Sequence, residues 1–322
     1  MATIYDVAER AGVSAATVSR VFNGSRVSQE KAGLVHAAAE QMGYVPDRTA
    51  RALRTRTSTV IALIVVDIEN PFFTSLARGV EEVTQQAGYS VVLCNTDEDA
   101  ERERRALDVA LFERMAGVIL VPTGERSELA ELQQRGVPVV TVDRALHHQS
   151  VDSVVVDNLT GGRQAAAGLY ARGARRVACI TGPAEAETAE LRSAGWRQEF
   201  RRGSPDADPD TYLAHADYRA EGGRAAMAGL LELPDPPDAV FVANNLMAAG
   251  ALAELRARRR DPPAFAMAAY GDLRHLPLGP SGVDIVPMPT RRIGSTAATV
   301  LLERIDGADH PPRTIVLRNE VD

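Results

Sequence analysis

Between Thr59 and Arg258 short apolar runs alternate with longer stretches in which apolar residues recur every three or four positions. The runs are Val60 to Val66, Ser90 to Asn95, Gly117 to Val121, Val137 to Val142, Ser153 to Val156, Arg176 to Thr181, Thr211 to Ala214 and Ala239 to Ala243. Several are apolar at successive positions, the mark of strands buried on both faces. The intervening stretches, Thr74 to Ala87, Glu98 to Met115, Ser127 to Arg135, Gly161 to Arg172, Ala189 to Arg202, Gly222 to Leu231 and Met247 to Arg258, have helical spacing. Strand and helix in strict alternation predict parallel sheets covered by helices, and two such series predict two α/β lobes. Ligands of open α/β sheets sit outside the carboxyl ends of the strands.

The first 46 residues follow a helical rhythm throughout. Thr3 is placed to cap a helix from Ile4 to Ala11, with Asp6 favouring its first turn, and Gly12-Val13 then forces a turn. Ser14 caps a second helix running to about Asn23, and Ser28 a third from Gln29 to about Met42, closed by Gly43. Val7, Ala8, Ala11, Val13, Val18, Val21, Phe22, Leu34 and Val35 supply one small shared core. Two helices joined by a tight glycine turn, the second presenting short polar residues and an arginine, describe a helix-turn-helix. After Pro46, Asp47 to Leu53 has the pattern of one further helix, too short to hold alone in water, ahead of the polar stretch Arg54 to Ser58. The expected organisation is a head over 1–46, a hinge and linker over 47–58, and a two-lobed body over 59–322. Within the body the amino lobe is expected over 59–157 and 286–312, the carboxyl lobe over 158–285 and 313–322.

Charge sharpens this division. Residues 1–58 carry eight basic and five acidic side chains, whereas the 322-residue chain carries 36 and 43. A basic head on an acidic body points to a polyanion partner for the head alone. At 45% hydrophobic and 25% charged residues the composition is that of a soluble globular protein, and no apolar run approaches a membrane span. The amino terminus enters a helix without an apolar leader. Cys94 and Cys179 lie within β-branched runs as small buried hydrophobes. Both features predict a cytoplasmic protein.

The stretches Thr3-Ile4-Tyr5-Asp6-Val7-Ala8-Glu9-Arg10-Ala11-Gly12-Val13-Ser14 and Thr17-Val18-Ser19-Arg20-Val21-Phe22-Asn23 resemble the head of the lactose-repressor (LacI/GalR) family almost position for position. Tyr44 to Leu53 resembles its hinge, and Asp67 to Phe73, Val155 to Asn158 and Arg192 to Trp196 continue the match into a body similar to the periplasmic sugar-binding fold. The resemblance implies a ligand-responsive regulator, most simply a repressor, bound to operator DNA. Positions 15, 16 and 20 of such heads face the major groove, where Arg20 has the bidentate geometry that specifies guanine. Ala15 and Ala16 replace polar residues and offer only methyl contacts. Thr17, Ser19 and Asn23 suit phosphates, and Thr3, Ser14 and Ala50 complete the DNA-facing set. Leu53 matches the hinge leucine that wedges a central base step from the minor groove, its other reading being an apolar anchor. Asp47 replaces the more usual hinge asparagine.

The same resemblance places Phe72 and Phe73 at the cleft mouth, Asp143, Arg192 and Tyr218 inside, and Asn245 opposite, with Trp196 among the effector contacts. Core packing is the competing role for the aromatic residues, evenly so for Phe73. Asn244-Asn245 stands where the family has Asn-Asp, and Tyr270-Gly271-Asp272 is a loose form of its Gly-Phe-Asp-Asp turn, so the ligand is expected to depart from the commonest sugars. The expected effector is a sugar or related polyol.

No phosphate loop, dinucleotide fingerprint, nucleophile elbow or metal-ligand spacing occurs, so the sequence predicts neither enzyme nor cofactor. His147-His148 lies in a polar loop and reads as solvated surface. A sugar- or nucleoside-binding protein without a DNA role is the alternative, and the basic head and hinge speak against it. Paired heads need a two-fold operator and therefore a homodimer. No leucine heptads follow Arg318, which favours a dimer over a tetramer.

Overall fold

A computed structural model describes residues 2–22, 27–44, 58–260, 262–273 and 282–319. The chain divides into two compact units, Met1–Ser58 and Thr59–Asp322.

In the first unit, helices α1 (Ile4–Ala11), α2 (Ala15–Phe22) and α3 (Gln29–Gln41) share one core. Thr3 and Asp6 form a reciprocal capping box: the Thr3 amide donates to Asp6 Oδ2 at 2.7 Å and the Asp6 amide to Thr3 Oγ1 at 3.4 Å. Gly12 ends α1 at φ 64°, a left-handed conformation that favours glycine. Ser14 Oγ accepts the Thr17 amide at 3.2 Å and so caps α2, whereas Ser28 precedes α3 without a side-chain bond. Val7, Ala8, Ala11, Val18 and Val35 are buried as expected, but Leu34 is exposed and Ala38 and Ala39 take its place. Val35, Ala38 and Ala39 share one helical face, and Leu34 stands to the side of it.

The second unit holds two all-parallel sheets. In chain order the first series is β1 (Val60–Val65), α4 (Pro71–Gln86), β2 (Ser90–Asn95), α5 (Ala100–Phe112), β3 (Gly117–Leu120), α6 (Ala130–Gln134), β4 (Val139–Val142) and β5 (Asp152–Val156). The second is α7 (Asn158–Ala171), β6 (Val177–Thr181), α8 (Glu187–Gly203), β7 (Leu213–His215), α9 (Ala220–Leu231), β8 (Ala239–Val242), α10 (Asn245–Ala257), β9 (Ala266–Tyr270) and β10 (Val283–Val286). The chain then returns through α11 (Thr290–Ile305) and β11 (Thr314–Leu317). The strand orders are β11-β5-β4-β3-β1-β2 in the amino lobe and β10-β9-β8-β6-β7 in the carboxyl lobe. The inner strands of both sheets are covered on both faces, which is why they read as unbroken apolar runs, whereas the edge strands β2, β7, β10 and β11 are only partly covered.

Two boundaries within the body differ from expectation. Residues 314–317, assigned above to the carboxyl lobe, pair with β5 in the amino-lobe sheet, Val316 opposite Val155. Asp152 fixes that edge by accepting Arg304 Nε at 2.7 Å and the Arg313 amide at 2.8 Å. Val286, assigned to the amino lobe, pairs with Tyr270 in the carboxyl sheet.

Several helices begin earlier than their apolar periodicity, because a polar cap at a strand's carboxyl end starts them. Asn70 caps α4 through the Phe72 amide at 3.0 Å, Asp157 caps α7 through Thr160 at 3.0 Å, and Asn244 caps α10 through Met247 at 2.7 Å. Each cap brings a helix start to the ends of the parallel strands.

Candidate functional sites

Most DNA-facing candidates in the first unit lie on α2 and its cap. Ser14, Ala16 and Arg20 are exposed, and Ala16 and Arg20 are four residues apart on one face. Ala15 is half-buried against the head core, while Thr17 and Ser19 are partly exposed beside it. Ser14 Oγ and Thr17 Oγ1 are hydrogen-bonded at 3.0 Å. Thr3 is exposed but engaged in its cap. Tyr5, not singled out from sequence, is the large exposed ring of this unit at 74%. Asn23, Ala50 and Leu53 lie outside the described residues, as does the expected hinge helix.

In the second unit a cleft of about 790 Å³ opens between the carboxyl ends of the two sheets. Phe72, Phe73, Asp143, Arg192, Tyr218 and Asn245 all line it. Phe72 and Phe73 meet edge to face at 4.9 Å between centroids; Phe73 lines the cleft and is also part of the amino-lobe core. Trp196 does not line the cleft. It is fully buried in the carboxyl lobe, its Nε1 donating to the Val177 carbonyl at 3.0 Å and its ring 5.0 Å from Phe200. One helical turn beyond Arg192 carries it past the cleft floor into the core.

The charged groups are built into the floor. Asp143 leaves β4 at φ 67°, is 8% exposed, and accepts no hydrogen bond among the described residues; Arg144 Nε is 3.9 Å away. Burial raises its pKa, against the opposing pull of Arg192 and Arg144. Arg144 donates through both terminal nitrogens to Glu98 and through Nη1 to the Pro122 carbonyl at 3.1 Å, while its buried Nε has no hydrogen-bond partner. Arg192 donates Nε to Asn158 Oδ1 and Nη1 to the Ala243 carbonyl, both at 2.8 Å, and its guanidinium lies 4.2 Å over the Tyr270 ring. Tyr218 and Thr188 share a hydroxyl bond at 2.8 Å, and burial raises the phenol's pKa.

Asn245 and Glu187 of the carboxyl lobe reach across the cleft to the amino lobe. Asn245 Nδ2 donates to Asn70 Oδ1 at 3.0 Å. Glu187, at the start of α8, accepts the Ala145 amide at 3.2 Å and pairs with His147 Nε2 at 2.7 Å. His147, read as solvated surface, is thus an exposed partner in a bridge, and the bond to Glu187 raises its pKa. Asn70, Glu98, Arg144, Thr188 and Tyr270 belong to the site although sequence reasoning did not name them as site residues. Asn70 and Tyr270 lay within recognised stretches, Tyr270 in the turn Tyr270-Gly271-Asp272; the others depend on left-handed turns or on which helix start faces which strand end.

Residues 58–317 match the model of periplasmic binding proteins and sugar binding domain of LacI family, and residues 3–47 that of bacterial regulatory proteins, lacI family. The chain belongs to the LacI family. It is 36% identical to the ribose operon repressor of Escherichia coli (strain K12) over 95% of its own length and 93% of that protein. Identity to the HTH-type transcriptional repressor CytR of the same organism is 32%, over 95% and 90%. Among solved structures it resembles a transcriptional regulator CelR–cellobiose complex, with TM-score 0.73 and 32% identity over 99% of this chain and 97% of that one. A lac repressor dimer bound to operator and the anti-inducer ONPF gives TM-score 0.85 and 26% identity over 98% and 96%. This repressor is therefore a ligand-responsive regulator of transcription, with a helix-turn-helix head and an α/β body of parallel sheets, and not an enzyme. Among the described residues no helix is long and apolar enough to cross a membrane.

Proposed function

We propose that the cleft of this repressor binds a neutral polyhydroxylated effector, a sugar or related polyol, and that its occupancy sets the grip of a homodimer on a near-palindromic operator. Asp143 carries the reading: among the described residues this buried carboxylate has Arg144 Nε 3.9 Å away but accepts no hydrogen bond, and neighbouring hydroxyls on a sugar are the donors it lacks. Phe72 and Tyr218 offer faces to the sugar's C–H surface, and Phe73 backs them. Arg192, held through Nε by Asn158 and through Nη1 by the Ala243 carbonyl, presents the rest of its guanidinium to the cleft. Asn245 closes the opposite side, and the similarity to a ribose operon repressor and to a CelR–cellobiose complex is in keeping with this ligand class.

In the head, Arg20 reads guanine, Ala15 and Ala16 meet bases through methyl groups, and Thr3, Ser14, Thr17 and Ser19 hold phosphates. On resemblance alone the same reading extends to Asn23, Ala50 and Leu53. The repressor acts in the cytoplasm, beside the DNA it regulates.

A thermal-shift panel of sugars, nucleosides and polyols tests the first part, since native-state binding at a hundredfold excess over Kd stabilises by about 2.7 kcal/mol. A panel without effect removes the sugar reading. Duplexes selected from a random pool by the full-length protein test the second. Arg20→Ala is expected to cost about 1–3 kcal/mol of discrimination against the wrong base; unchanged discrimination would assign specificity elsewhere.

A further inference from the structure

The floor of the cleft and the chain crossings between the lobes meet at Tyr270. This residue ends β9 in the carboxyl lobe and is 1% exposed. The Arg192 guanidinium rests on its ring. At the far end of the ring, the hydroxyl donates to Asn319 Oδ1 at 2.8 Å, and Asn319 Nδ2 donates in turn to the Asp157 carbonyl at 2.6 Å. Asp157 follows β5 and Asn319 follows β11, two neighbouring strands of the amino-lobe sheet. One side chain therefore binds a carboxyl-lobe phenol to both of these exits from the amino lobe.

The close packing around this contact is specific. A Cβ on Gly161 of α7 would stand 2.4 Å from the Tyr270 ring and 2.7 Å from Asn319 Nδ2, so only glycine lets the helix approach. On the next residue, a Cβ on Gly162 would meet the Arg192 carbonyl oxygen at 2.1 Å. Burial pushes the Tyr270 phenol up to about 12, which keeps the hydroxyl a donor at neutral pH.

We propose that Tyr270 and Asn319 form an interlobe tie that couples the cleft to the lobe hinge, the ring positioning Arg192 for the effector and the hydroxyl holding the two amino-lobe exits in register. This deepens the effector reading of the cleft and rests on it. With α7 packed against the ring at Gly161, displacement of the guanidinium above it tilts the ring and is felt at the hydroxyl. Rotation of one sheet against the other must lengthen the Tyr270–Asn319 bond or move Asn319 off Asp157. Coupling between sites requires an element whose arrangement both sites bias, and this tie is placed to be one.

The test uses full-length protein carrying Tyr270→Phe, Asn319→Ala or both, with operator affinity measured without effector on a selected duplex. Each single variant is expected to shift operator Kd at least threefold in the same direction, and the double variant no further than the larger single, because the two residues act as one unit. Tyr212→Phe is the control: it removes an equally buried phenol bond, to the Asp235 carbonyl at 2.9 Å, away from the cleft, and should leave operator Kd unchanged. An unchanged Kd in either tie variant overturns the proposal, as does an equal shift in the control. Failure of the effector reading would look different: no sugar in the panel would alter wild-type operator affinity, whatever the variants do.

Discussion

Asp143 leaves its strand in the left-handed region, and that one dihedral turns a carboxylate that continues a buried strand toward the cleft. Asparagine tolerates the same conformation, so Asp143→Asn isolates the charge. We expect the substitution to weaken effector binding roughly tenfold to a hundredfold, as for hydrogen bonds to a charged group at about 1.5–3 kcal/mol. The pH dependence has a definite sign. Burial raises the pKa of Asp143 and the ionised form is the acceptor, so affinity falls as pH drops through that raised value. Calorimetric titrations across pH should show this slope in the wild type and a flat profile in Asp143→Asn. A slope surviving in the variant would move the acceptor to another residue.

Helix α8 shows how one element serves several ends. Its first residue, Glu187, crosses to the amino lobe; Arg192, in its second turn, lies at the cleft floor; Trp196, a turn further, fills the core. The Glu187 bond holds the His147 pKa above its ordinary value of about 6.5. The bridge is therefore fully formed below that value and is lost as pH rises through the raised one. Since the imidazole is largely exposed, the effect is small, about threefold at most. Effector dissociation followed by stopped flow should slow by that factor as pH falls through the raised value, and Glu187→Gln should abolish the dependence. An identical pH profile in the variant would show that the bridge does not hold the lobes together.

At the scale of the molecule, the amino-lobe sheet ends at β2, whose Val92 and Leu93 are 40% and 47% exposed, with Ile68 nearby at 45%. An apolar edge strand left open pairs with whatever chain it meets. The homodimer proposed above would bury this edge. Leu93→Glu should leave the circular dichroism spectrum intact, shift sedimentation from dimer to monomer, and weaken operator binding at least tenfold, because one head cannot engage two half-sites. A variant that still sediments as a dimer would place the interface elsewhere.

Up to Arg258 most strands and helices, and the class of partner, were legible in the residues alone, whereas β9, β10, α11 and β11 were not among the expected elements. Doubly buried strands, capped helix starts, the Gly12 turn and a basic head on an acidic body are local properties, readable without knowing what packs on what. Tertiary structure decided every question of adjacency. It decided that Thr314–Leu317 joins the amino-lobe sheet, because which open strand edge a segment takes depends on Asp152 and its arginines rather than on the segment. It separated Arg192 from Trp196, one turn apart on a helix that passes from cleft to core. It also brought Tyr270, Asn319 and Asp157 into one chain of hydrogen bonds, a contact between residues up to 162 positions apart that no local pattern encodes.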